Sequence, residues 1–166
     1  MEKEKSAESE YQEFINCLNK HKVEYLLIGA YAVIKHTRIA RMTKDIDFWI
    51  NGNLENAKNT AAAIKDFIGI EVEPKDLIVK NEVYYIGRPP RRIDIFCNQA
   101  DISYEESYRK RVTGKFLEAD TAYISIDDLI KVKNHYKDKE NAEKYEKDIK
   151  RLEVEKEKKK SRGFER

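Results

Sequence analysis

Three aspartates are the residues best suited to chemistry in this chain. Asp45 and Asp47 stand two apart in Asp45-Ile-Asp-Phe-Trp-Ile50, an alternating run that stops at Asn51-Gly52 and so reads as a strand and a turn. Alternation along a strand sends both carboxylates, with Trp49, to one face and Ile46, Phe48 and Ile50 to the other. Trp49 then either walls a site or packs at the strand end. Asp94 lies in Arg92-Ile-Asp-Ile-Phe96, flanked by apolar residues on a second predicted strand. Burying a charge without a partner is costly, so three carboxylates converging on one face need a compensating cation. Hard divalent ions take oxygen ligands, and Mg²⁺ typically uses one or two carboxylates together with substrate phosphates. The competing account pairs these aspartates with Arg38, Arg41 or Arg92, or places them at sheet edges. Spacing alone leaves both open.

The second chemical feature is a junction. Leu27-Ile28-Gly29-Ala30 runs from a strand through a glycine into a helix. Backbone N–H groups at a helix start attract anions, and glycine lets a phosphate come close to the main chain. An ordinary strand-to-helix turn has the same local sequence.

Other elements must position these groups. Phe14, Ile15 and Leu18 predict a helix over 8–20, and Val23–Ile28 a buried strand, before a short helix over 30–36. Asn53 caps a predicted helix over 54–67. Three short strands are predicted at 76–80, 82–87 and 92–97, with Arg88-Pro-Pro-Arg-Arg92 interrupting the last two. Tyr84 and Tyr85 read as ordinary sheet residues. Residues 103–110 are predicted helical and 116–124 partly extended. Ser125 begins a near capping box before a helix carrying Leu129, Ile130 and Val132. A last helix is predicted from Asn141 to about Lys158, with Glu155–Lys160 a frayed, solvated end.

Together these pieces resemble the DNA polymerase β-like nucleotidyltransferase superfamily. The likeness rests on Gly29-Ala30, 14 residues, Asp45-Ile46-Asp47-Phe48, and a later strand with Asp94. More narrowly, Leu26-Leu-Ile-Gly-Ala-Tyr-Ala32 and Arg41-Met-Thr-Lys-Asp-Ile-Asp-Phe48 resemble small prokaryotic nucleotidyltransferases, including the abortive-infection toxin-like group. Ser125–Lys133 resembles the helix that follows their catalytic sheet. Two positions depart from the pattern: Ala30 stands where Gly or Ser is usual, and Tyr145 where Arg is frequent. Lys147 and Asp148 are kept.

The resemblance implies an α/β (α+β) nucleotidyltransferase fold, a mixed central sheet flanked by helices with a C-terminal helical extension from about residue 126. It makes 1–152 one domain and 153–166 a charged tail. The implied activity moves an NMP from an NTP, with ATP the common donor, to a hydroxyl of a small molecule, protein or RNA end, releasing pyrophosphate. Asp45, Asp47 and Asp94 become both metal ligands (two Mg²⁺, with Mn²⁺ an alternative) and catalytic residues. Gly29, Ala30, Arg41, Thr43 and Lys133 become nucleotide contacts, although a solvated lysine is the commoner state for a residue like Lys133. Two other readings stay open: a catalytically silent nucleotide-binding half of a toxin–antitoxin pair with a small partner protein, and an RNA-associated adaptor.

Composition narrows the setting. The 166 residues hold 33 basic and 31 acidic side chains, a net of +2. That balance argues against a protein that coats nucleic acid. Its distribution is uneven, since residues 150–166 carry +4 and residues 1–149 carry −2. No apolar run approaches the roughly 20 residues that span a bilayer, and the polar N-terminus predicts no signal peptide. Cys17 and Cys97, without metal-type spacing, are expected to be reduced, buried thiols of a cytoplasmic protein. His21, His36 and His135 are scattered without zinc spacing. Abundant Lys, Glu and Tyr with only two Gln matches the composition of thermophilic proteins.

Overall fold

A computed structural model describes residues 5–137, 139 and 142–164. Six strands form one mixed sheet in the order β3-β4-β2-β1-β6-β5. They are β1 (Tyr25–Ile28), β2 (Asp45–Ile50), β3 (Val83–Ile86), β4 (Arg92–Phe96), β5 (Val112–Phe116) and β6 (Ala119–Tyr123). The central pairs differ in direction: β1 runs antiparallel to β2 and parallel to β6, while β2 runs parallel to β4. The helices are α1 (Ala7–Lys20), α2 (Gly29–Thr37), α3 (Leu54–Ile68), α4 (Tyr104–Arg109), α5 (Ile126–Lys137) and α6 (Ala142–Phe164).

The apolar side of β2 builds the core. Phe48 meets Phe14 of α1 edge-on at 5.4 Å, and Phe14 also meets Phe67 of α3 at 5.2 Å. Helix α3 is held at both ends: the Asn53 side chain accepts the Asn56 N–H, and Gly69 closes the helix in the left-handed conformation. Buried Asn56 bonds both main-chain groups of Glu24 and the carbonyl of Asn51, fixing this helix to the β1–β2 layer. On the opposite side of β2, Asp45 and Asp47 face a cleft that residues of α5 and α6 also line.

Several expectations change. Residues 76–80 are not a strand, because Pro74 starts a 3-10 turn over Pro74–Ile78 that buries Leu77. The extended stretch at 116–124 is the second half of a β5–β6 hairpin whose first strand begins at Val112. Trp49 shares the aspartates' face but is buried against Tyr104 at 5.3 Å, so it packs and lines no part of the cleft. Cys17 and Cys97 are half-buried free thiols. Helix α6 continues past residue 158 to Phe164 and pairs Lys156 with Asp127; the predicted start at Asn141 lies outside the described residues. Among the described residues, no helix is long and apolar enough to cross a membrane.

Candidate active site

Register brings the three carboxylates together. Strands β2 and β4 run parallel with Asp45 opposite Arg92 and Asp47 opposite Asp94, while β1 places Ile28 opposite Asp47. One ligand oxygen from each of Asp45, Asp47 and Asp94 can be chosen so that all lie within 4.8 Å of one another. Ile28 leads directly into α2, which sets the helix start beside Asp47. Gly29 has φ +70, and a methyl group added there would collide with the Asp47 carboxylate. Its glycine is therefore required twice, by backbone conformation and by space. Ala30 is buried in the first turn of α2, whose N-cap, Ile28, supplies no side-chain hydrogen bond.

The electrostatics are those of crowded like charges. Burial, then the neighbouring Asp45 and Asp94, pushes the Asp47 carboxyl well above the usual carboxylate range. Burial also raises Asp94, against the opposing effect of Arg92. Arg92 forks onto Asp94 (Nε–Oδ1 2.7 Å, Nη2–Oδ2 3.1 Å) and reaches Asp45 Oδ2 at 3.2 Å. Its guanidinium also lies over the Tyr85 ring, 4.6 Å from the centroid. Both accounts of the aspartates thus hold in part: Arg92 is a partner, yet one guanidinium offsets one of three charges. The all-oxygen donor set and the remaining negative charge fit a hard divalent cation.

The cleft above this floor measures about 980 Å³. Gly29, Ala30, Arg41, Thr43 and Lys133 all line it. Thr43 turns its hydroxyl inward on its own loop, donating to the Asp45 carbonyl at 2.9 Å. Lys133 is not a solvated lysine. It is 5% exposed, and its Nζ lies 3.0 Å from Asp148 Oδ2 as an ion pair outside hydrogen-bond angles. Burial pulls its ammonium pKa down, while Asp148 works the other way. Arg41 donates from Nε to Asp148 Oδ1 at 3.0 Å. Asp148 therefore gathers two cations from distant segments onto one wall. The sequence marked it only as a retained position, and its place one helical turn after Tyr145, itself a position of the family pattern, was the available signal. The Lys133 ammonium also lies 5.4 Å from the Tyr145 ring centroid.

The sheet order, the flanking helices and the C-terminal helix define the nucleotidyltransferase fold. Among solved structures the chain is similar to the antibiotic-resistance factor ANT(2'')-Ia, with a TM-score of 0.58 and 13% identity over 93% of this chain and 91% of that one. No family model matches the chain. No curated protein matches it either, so neither of these two comparisons supports the narrower abortive-infection toxin-like group.

Proposed function

We propose that this chain is a metal-dependent nucleotidyltransferase that moves an NMP from an NTP, with ATP the first donor to test, to a hydroxyl of an acceptor. The observation that carries this reading is the convergence of Asp45, Asp47 and Asp94 on the floor of a cleft with a cationic wall. Similarity of fold to ANT(2'')-Ia supports it. Asp45, Asp47 and Asp94 would hold Mg²⁺, which when bound supplies Lewis-acid neutralisation of charge at the reacting phosphate.

The protein groups do the rest by position and charge. Main-chain N–H groups of Gly29 and Ala30, at the positive end of α2, bind phosphate oxygens of the donor. Arg41 and Lys133, aimed by Asp148, offset the charge of the polyphosphate; a planar guanidinium suits two phosphate oxygens at once. Asp94 takes the proton of the acceptor hydroxyl, a role suited to a carboxylate raised by burial. The acceptor oxygen then bonds to the α-phosphorus, and the bond to the bridging oxygen breaks. Pyrophosphate leaves.

The test uses α-labelled ATP with Mg²⁺ and a cell lysate as the acceptor source. Transfer of label with matching pyrophosphate release is expected, and Asp47→Asn should lower both by at least about 100-fold. Labelling that persists in Asp47→Asn and Asp94→Asn would overturn the proposal.

A further inference from the structure

Helix α6 carries its charge unevenly. Successive helix residues are about 100° apart, so Lys144, Lys147, Arg151, Lys158 and Arg162 fall in one stripe about 27 Å long. Glu155, the acid nearest this stripe, has a largely covered side chain and is paired with Arg162 at 2.9 Å. The other exposed flank carries Glu146, Glu153 and Glu157 beside Lys150 and Lys160, and is close to neutral.

Docking fixes where the stripe lies. Asp148 accepts from Arg41, and Glu155 and Lys159 act electrostatically on His36, so that edge of α6 follows α2 and the loop after it. On the other edge Lys156 meets Asp127 of α5. The basic stripe therefore adjoins α2 and the 38–44 loop. That second segment is also of one sign: between Glu24 and Asp45 the chain has no acidic residue and holds Lys35, Arg38, Arg41 and Lys44. Among the described residues, Arg38, Lys44, Lys144, Lys147, Arg151 and Lys158 have no ion-pair partner. Lys44 and Lys144 line the cleft, so the cationic face runs outward from it.

Like charges held together without counter-ions repel, and a polyanion relieves that repulsion while releasing its own counter-ions. Two apolar side chains stand among the cations, Ile39 at 42% exposure and Met42 at 90%. They suit the faces of unpaired bases. An anionic lipid surface asks for a broad apolar helix face, whereas Val154 is the one exposed large apolar residue among the described side chains of α6.

We infer that the face formed by α6 and the 38–44 loop docks a single-stranded nucleic acid, through its phosphates and without regard to sequence. The inference goes beyond the nucleotidyl-transfer reading and requires no turnover.

The test is fluorescence anisotropy of a labelled 15-nucleotide single-stranded RNA titrated with the full chain. EDTA is present and NTP is left out, so neither metal nor donor takes part. Binding should be in the micromolar range at 50 mM salt and weaken linearly on a log–log plot as salt rises. The triple variant Lys147→Gln/Arg151→Gln/Lys158→Gln should lose at least about tenfold in affinity at 50 mM salt. Its salt slope should be shallower by about 2, or about 0.7 for each phosphate contact removed. Gln keeps the helix propensity of these positions, and Lys147→Gln and Lys158→Gln taken singly should each change the slope by about 0.7. Lys58→Gln/Lys65→Gln/Lys75→Gln removes the same charge from exposed positions on α3 and the Pro74–Ile78 turn, and should stay within about twofold of the parent. No RNA binding at 50 mM salt, equal losses in the two triple variants, or an unchanged slope in the α6 variants would overturn the inference. So would binding to phosphatidylserine vesicles but not to RNA.

Discussion

Asp47 is the residue on which charge, space and backbone meet. Its carboxyl is raised, so the folded chain holds a proton more tightly than the unfolded chain does. Stability from this group is present below the unfolded value of 3.8 and is lost as pH rises through the raised folded value. Asp47→Asn should therefore raise the melting temperature of the metal-free protein at pH 7.5, by about 2–4 °C for each kcal/mol relieved. An unchanged or lower melting temperature would contradict the crowded-charge account. Gly29→Ala acts on the same contact from the other side. It should cost about 1–3 kcal/mol in urea unfolding, since a non-glycine residue is strained at this φ and its methyl displaces Asp47. Sequence made the pairing of Asp45 and Asp47 on one face legible through the period of two. It gave glycine a role toward phosphate, and could not show that the nearest claimant to that space is a side chain of the same chain.

At the scale of elements, the α5–α6 wall depends on one carboxylate. Arg41 and Lys133 share Asp148, a residue 107 positions from Arg41. Removing that carboxylate leaves two largely buried cations without compensation, so Asp148→Ala should destabilise by about 3–5 kcal/mol in chemical denaturation. A loss below 1 kcal/mol would show that the triad is not held together in this way. Helix α2 supplies a second prediction. His36 is buried and its Nε2–H donates to the Ile124 carbonyl at 2.7 Å; burial lowers its pKa below the ordinary 6.5. The unfolded chain then takes up the proton first, so stability falls as pH drops below about 6.5 and on through the lowered folded value. His36→Gln keeps a donor near the same place without titrating, and should flatten this part of the stability–pH curve. Helix positions were readable from periodicity and caps such as Asn53 and Ser125, because those signals are local. The 3-10 turn at Pro74–Ile78 and the first strand of the β5–β6 hairpin were not, because both are short and β5 is largely exposed with Gly114 in its middle, which leaves no apolar alternation to read.

For the whole molecule, the consequence of three converging carboxylates is linkage between metal and folding. Mg²⁺ at about 100 times its dissociation constant should stabilise the chain by about 2.7 kcal/mol, and Asp47→Asn should abolish the gain. Because the raised carboxyls must lose protons to bind a cation, the gain should grow between pH 5 and 7.5; thermal unfolding with Mg²⁺ against EDTA measures both effects. The sequence by itself determined the alternation that aims Asp45 and Asp47 together, the strand-glycine-helix junction, and a motif set that resembles the nucleotidyltransferases. These are properties of neighbouring residues, fixed by backbone period and local sterics. Tertiary structure alone decided that Asp94 completes the cluster beside an Arg92 counter-charge, that Trp49 packs instead of facing a ligand, and that Lys133 is buried on Asp148. Those outcomes depend on strand register and helix docking, where the partner that satisfies a buried charge is chosen by three-dimensional proximity and not by distance along the chain.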